Sequence, residues 1–337
     1  MKKFYKLLVL MMVMAIGFTG CANNSDKTNS NEKTAEKTES KESKEDSKAK
    51  ENYEISFSGS STLAPVISKI STTFIEKNVT WDKVDSSLPD KNITIYVSAG
   101  GSGAGVKAVL DNVANFGMLA REVKDKEKEK VKDYKEYNLG LDALTLAVNP
   151  QNKVIAAKKG NLTKEEIVKI FSGEYKKWSD VDPSLPEEDI VVVTRDLSGG
   201  AHEVFQKKVM KDVKVRQDAI QAPTMGALVS KIIENPNAIG YASFGIANQN
   251  KGKLIPLKVD GIEPTEENIL NKSYYISRPL IIMKSGDLTK TEQLFIDYLN
   301  SKEGKQTIKD MGFIPNKEIQ KQSDITLLFV HNRKVEG

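Results

Sequence analysis

The sequence predicts an α/β protein built on a mainly parallel sheet, and three observations predict it. Short apolar runs of strand length alternate with amphipathic helical stretches. Three of those runs end in a Gly/Ser turn that opens a helix. No segment repeats at a period of 20–50 residues, which removes solenoids.

The elements follow in order from residue 53. Residues 55–58 read as a strand, then Gly59-Ser60-Ser61-Thr62, then a helix over 63–76 with Val66, Ile67, Ile70 and Phe74 on one face and Pro65 in its first turn. Residues 93–97 form a second strand, followed by a Gly/Ser run over 98–105 and a helix through Val106, Val109 and Leu110. Residues 190–194 form a third, followed by Arg195-Asp196-Leu197-Ser198-Gly199-Gly200 and a helix through Val204, Phe205 and Val209. Thr163 with Glu166, and Thr289 with Glu292, are capping boxes that start further helices. Residues 224–233 read as a helix and 238–242 as a strand; 141–148 and 275–283 are long apolar extended runs.

A chain of 337 residues has room for about two domains. With 50 basic against 46 acidic residues the net charge is only +4, which argues against a polybasic nucleic-acid binder. One Cys and two His provide neither a zinc site nor an intramolecular disulfide.

The N-terminus reads as an address. Lys2, Lys3 and Lys6 precede an apolar run over 7–18, too short for a membrane span and right for a signal-peptide core. Phe18-Thr19-Gly20-Cys21 resembles the lipobox of bacterial lipoproteins, with Cys21 as the residue that takes the fatty-acyl, palmitate-type anchor. Residues 1–20 are then a signal peptide. Residues 22–51 contain only Ala, Asn, Ser, Asp, Lys, Thr and Glu, which cannot offset ordering entropy by burial, so 21–51 is expected to be a lipidated Cys and a disordered tether.

The three turns carry the chemistry. Each places backbone N–H groups at a helix start, where an anion is favoured. Gly admits close backbone approach, Ser and Thr add hydroxyl donors, and Arg195 adds a planar charged fork. Any one turn is an ordinary N-cap; three of the same chemistry suit one shared anion. The segment from Gly100 to Lys107 lacks the P-loop ending, Gly101, Gly103 and Gly105 do not form the dinucleotide fingerprint, and no G-x-S-x-G elbow is present.

Six motifs stand in a familiar order. They are Gly59-Ser60-Ser61-Thr62-Leu63-Ala64-Pro65, residues 101–107, residues 143–150, Phe171-Ser172-Gly173 with Trp178, Ala238-Ile239-Gly240-Tyr241, and Ser277-Arg278-Pro279. Over essentially all of 53–315 the chain resembles the phosphate-binding proteins of bacterial phosphate ABC importers. The resemblance implies a type II periplasmic-binding-protein fold, two α/β lobes joined by two hinge crossings with the ligand in the cleft. Lobe 1 would be 52–144 plus 275–337 and lobe 2 would be 145–274, with 141–148 and 275–283 as the hinge strands.

It also implies a function: an extracytoplasmic lipoprotein that captures inorganic phosphate and delivers it to permease and ATPase subunits. No covalent chemistry, cofactor, metal or nucleic acid is expected. Ser61 and Ser102 would give hydroxyls, and Thr62 a backbone N–H with its own hydroxyl as a further candidate donor. The turn around Gly101, Ser102 and Gly103 would give N–H groups, and Arg195 would pair with the anion. Binding of another tetrahedral oxyanion, or a surface lipoprotein that binds phosphate without a transporter, are the alternatives; an ester-cleaving enzyme lacks a metal carboxylate cluster or a nucleophile–base pair.

The chain departs from the family at two places. Gly199-Gly200-Ala201 stands where Ser-Gly-Thr is usual, so Ser198 and the N–H groups of Gly199, Gly200 and Ala201 are expected to substitute. Ala120 stands where relatives carry Asp or Ser. Arg121 beside it is either a ligand residue or a solvated helix-start charge. His202 is expected to be partly exposed, residues 125–132 to be a solvated helix face, and Trp81 and Trp178 to be packing residues.

Overall fold

The protein is described by a computed structural model that covers residues 53–316 apart from Ser198; the leader, Cys21 and the tether lie outside the described residues. Strand β1 (Glu54–Gly59) buries every second residue, the period of a pleated strand. Helix α1 (Ala64–Asn78) returns from it with Val66, Ile67, Ile70 and Phe74 inward. Pro65 sits in its first turn, where a missing N–H leaves no hydrogen bond unmade. Strands β2 (Thr94–Ala99) and β3 (Phe116–Leu119) flank β1, both parallel to it, and helix α2 (Ser102–Leu110) opens directly after β2.

The chain then runs into the long strand β4 (Tyr134–Val148). Apart from two-residue strands, the chain then adds β5 (Val191–Arg195), β6 (Ile220–Ala222), β7 (Ala238–Ser243) and β8 (Ser277–Ser285). Their order across the sheet is β2-β1-β3-β8-β4-β7-β5-β6. Strand β4 serves both halves. Its residues up to Ala143 pair antiparallel with β8, and Leu144 to Val148 pair antiparallel with β7. Beyond it β7, β5 and β6 run parallel.

Two large apolar cores lie either side of this crossover. One gathers on β1, β3 and α1, where Phe57 stacks on Phe116 with ring centroids 4.8 Å apart. The other gathers on β5, β7 and the segments packed on them, where Phe205 stacks on Tyr241 at 4.5 Å. Trp81 and Trp178 are buried in the first and second core respectively, as packing residues.

Both capping boxes form as read: the Thr163 and Thr289 hydroxyls accept the N–H of Glu166 and Glu292, whose carboxylates accept the N–H of the Thr. Two elements differ from expectation. The charged stretch at 125–132 is only a single turn of helix, Asp125–Lys128, with no buried residue. The helix after the Arg195 turn, α3 (Gly200–Phe205), continues as a π-helical segment, Gln206–Met210. The wider π turn brings Met210 round to the face of Phe205, so both are buried with Val209; an α-helix would have turned Met210 away.

Candidate functional site

The register of the sheet collects the turns. Gly59 lies opposite Ala99 on one side and Met118 on the other, so Ser60–Thr62, Gly100–Ser102 and Ala120–Arg121 leave one edge of the sheet together. This edge is where the parallel strands end, the usual place for a ligand in α/β sheets. Close packing there depends on glycine. A Cβ at Gly59 would fall 2.3 Å from the Met118 carbonyl oxygen, and Gly59 holds a positive φ of 135° that side chains avoid.

Arg195 arrives from the other half, at the end of β5, and is 2 % exposed. Its Nη1 donates to Ser61 Oγ at 2.9 Å. Nε donates to Ala222 O at 3.0 Å and to Asp196 Oδ1 at 3.1 Å; Nη2 donates to Asp196 Oδ1 at 2.6 Å and to Pro223 O at 3.0 Å. The guanidinium is locked before any ligand meets it. Ser61 Oγ also accepts the Met225 N–H at 3.3 Å, so its own O–H proton is what it retains to donate.

Beneath Arg195 runs a buried chain. The Arg195 N–H donates to Tyr241 Oη at 3.0 Å, Tyr241 Oη lies 2.8 Å from Thr194 Oγ1, and Thr194 Oγ1 lies 3.3 Å from His202 Nδ1. Burial pushes the Tyr241 phenol up to about 12, so it stays protonated. His202 is thus a buried residue rather than a partly exposed one; burial holds it below its ordinary value against the upward pull of Asp196 and Glu203, and the Arg195 charge adds to the lowering.

The other turns meet at van der Waals distance. A Cβ added at Gly200 would lie 2.2 Å from Ser102 Oγ and 2.6 Å from Ser102 Cβ, and one at Gly101 would lie 3.8 Å from Gly199 Cα. Ser102 Oγ accepts the Ala120 N–H at 3.2 Å and keeps its O–H to donate. The N–H groups of Ser102 and Gly103 open α2, and those of Gly200 and Ala201 open α3; none has an acceptor within its own helix.

Several expectations need correction. The Thr62 N–H donates to Ser60 Oγ at 3.2 Å, and Ser60 also takes the N–H groups of Leu63 and Ala64, so these three backbone donors are spent within the turn. Thr62 Oγ1 accepts from Arg278 Nη2 at 3.1 Å. The Gly199 N–H is used by Asp196 O at 2.9 Å, and the Gly101 N–H by Gly59 O at 2.8 Å. Arg121 is not a solvated charge. It is buried, with Nη1 and Nη2 each 2.8 Å from the Glu127 carboxylate and Nε 3.3 Å from Glu203. Burial raises Glu127, but Arg121 together with the N–H and charge of Lys124 outweighs it and holds the carboxyl below the usual range. Ser198 and Cys21 lie outside the described residues.

Arg278 is the residue that reasoning from sequence missed as a site group. It lies in β8 opposite Asp142 of β4, and both are buried. Its Nε and Nη2 donate to the single oxygen Asp142 Oδ2 at 2.9 and 2.7 Å. Burial pushes the Asp142 carboxyl up and Arg278 pulls against it. The signal was present in the Ser277-Arg278-Pro279 motif, but its partner is 136 residues away.

A sheet of this order, crossed by a long shared strand and an antiparallel return strand, with hydroxyls, helix-start N–H groups and a locked arginine gathered between two cores, defines a type II periplasmic-binding protein. The PBP superfamily domain matches residues 29–303. Phosphate-binding protein PstS of Staphylococcus epidermidis is 32% identical over 282 residues, covering 79% of this chain and 80% of that protein. PstS of Staphylococcus saprophyticus is 30% identical over 285 residues, covering 80% and 83%. A structure from Clostridium perfringens, solved with bound phosphate and assigned to the phosphate ABC transporter substrate-binding proteins, is 30% identical with a TM-score of 0.68, covering 78% of this chain and 100% of that one. The chain belongs to the PstS family of phosphate-binding proteins within the PBP superfamily.

Proposed function

We propose that this protein captures inorganic phosphate on the outer face of the membrane and hands it to the permease and ATPase of an ABC importer. It is a binding protein and not an enzyme. The observation that carries the reading is the Arg195 Nη1 to Ser61 Oγ bond, which joins a cationic donor of one half of the sheet to a hydroxyl donor of the other. An oxyanion seated beside that bond takes charge-assisted bonds from both halves, and these are the strong ones.

On this reading residues 52–144 with 275–337 move as one lobe and 145–274 as the other, hinged where β4 and β8 run side by side. Closure desolvates the anion and sets Ser61, Thr62, Ser102, Arg195 and the N–H groups of Ser102, Gly103, Gly200 and Ala201 against it. Gly199 closes the turn ahead of Gly200, Arg121 follows Ala120 beside Ser102, Ser198 is assigned from the sequence alone as a further hydroxyl donor, and Cys21 carries the lipid that holds the protein at the membrane. Titration calorimetry of the full chain with phosphate, sulfate and a phosphate monoester tests it. Phosphate is expected to bind tightest, with the ester neither bound nor hydrolysed. Absence of heat with phosphate, or release of alcohol from the ester, would overturn the reading.

A further inference from the structure

Arg278 has a donor that the fold does not use. The residue is 2 % exposed, and its Nη1 is buried with no hydrogen-bond partner among the described residues. Buried donors are almost always paired, so an orphan on a permanent cation calls for an explanation. Arg278 also lines a neighbouring cavity of about 390 Å³. Water there does not supply the partner, because Nη1 itself is closed off from solvent.

The shape of the guanidinium says where Nη1 looks. The edge formed by Nε and Nη2 is spent on Asp142 Oδ2. The outer N–H of Nη2 goes to Thr62 Oγ1. In a planar guanidinium the outer N–H groups of Nη1 and Nη2 form a parallel fork. Nη1 therefore points to the same side as the Thr62 hydroxyl, one residue from Ser61 and its bond to Arg195. One prong holds the turn, and the other lies closed over on the same side of the guanidinium, with no partner among the described residues.

We propose that Arg278 Nη1 donates to the bound anion, making Arg278 a second cationic ligand of the site. The proposal rests on the phosphate reading above. Asp142 then has two effects: it fixes the fork, and it cancels most of the charge that the fork would bring to the anion.

This gives a test in which two variants move in opposite directions. Phosphate is titrated at pH 8 into the full chain and into Arg278→Gln and Asp142→Asn, with thermal melts to establish that each is folded. Arg278→Gln is expected to raise Kd at least tenfold. Asp142→Asn, which leaves the guanidinium charge uncancelled, is expected to lower Kd about threefold or more. A strut between β4, β8 and Thr62 would instead weaken binding in both variants. Wild-type affinity in Arg278→Gln, or weakening in both, overturns the proposal. If Arg278→Gln does not fold, Arg278→Lys replaces it: it keeps a cation for Asp142 but has no second prong, so a tenfold loss is again expected and wild-type affinity again refutes it. Wild-type protein that binds no phosphate would refute the functional reading itself, a result distinct from an effect confined to the Arg278 variants.

Discussion

Gly200→Ala is the most direct probe of how closely the two halves must meet. The added methyl would lie 2.2 Å from Ser102 Oγ and 2.6 Å from Ser102 Cβ. Non-bonded carbon contacts settle at roughly 3.5–4.0 Å, so α3 and α2 must separate by about 1 Å. Ser102 Cβ is tied to backbone, and rotating its hydroxyl does not relieve the clash. Gly200 is not in the left-handed region, so Ala suits its local conformation and the helix is not harmed. The separation falls on the bonds that cross between the halves. Arg195 Nη1 to Ser61 Oγ, now 2.9 Å, stretches toward about 3.9 Å, beyond hydrogen-bond range. Loss of this charge-assisted bond and of the Met225 N–H to Ser61 Oγ bond, which crosses at the same place, costs about 2–4 kcal/mol. That corresponds to a Kd raised roughly 30- to 1,000-fold. Calorimetry reads the affinity, small-angle scattering at saturating phosphate reads the separation, and denaturant unfolding is expected to stay near wild type. Wild-type affinity in Gly200→Ala would show that this contact does not limit closure.

The remaining predictions concern charge, selectivity, pH and location. Arg195→Ala removes the cation that reaches Ser61 and is expected to weaken phosphate binding by about 2–5 kcal/mol, measured by calorimetry with the fold checked by circular dichroism. Ala120→Asp places a carboxylate beside Ser102, where it accepts the proton of hydrogen phosphate and repels sulfate; competition titration is expected to show selectivity for phosphate improved about tenfold, whereas no change would mean another acceptor already serves. His202 is held below its unfolded value, so the unfolded chain takes up its proton first as pH falls. Its contribution is full above about pH 6.5 and is lost below it, and unfolding of His202→Gln followed from pH 7 to 5 is expected to show a flatter decline than wild type. Cys21→Ser is expected to leave phosphate affinity unchanged and to move the protein from the membrane fraction into the medium.

Local chemistry made the turns legible. Gly59 to Thr62, Gly101 to Gly103 and Arg195 to Gly200 each combine a strand end, small residues and a helix start within a few positions, and the structure brings all three to one place. The capping boxes at Thr163 and Thr289 were legible for the same reason. What escaped depends on partners distant in the chain. Arg121 was ambiguous because Glu203, which draws it inward together with Glu127, belongs to α3. Arg278 went unassigned because Asp142 faces it only once β4 and β8 have paired. The Thr62 N–H was read as free because Ser60 Oγ can take the N–H groups of the following turn as readily as an anion can, and spacing alone does not decide between them.

Each buried arginine around the site has its own carboxylate: Asp196 for Arg195, Asp142 for Arg278, Glu127 and Glu203 for Arg121. Unloaded, the pocket therefore stores no naked positive charge, and an open cleft does not have to be held against self-repulsion. An arriving anion is gripped by oriented dipoles at contact range rather than drawn in by a net field. Ionic strength screens net charges over about 8–10 Å but barely touches bonds at 3 Å. Retention of the ligand thus belongs to short-range geometry, and widening the cleft by an ångström or so releases it without any change of protonation or any competing counterion.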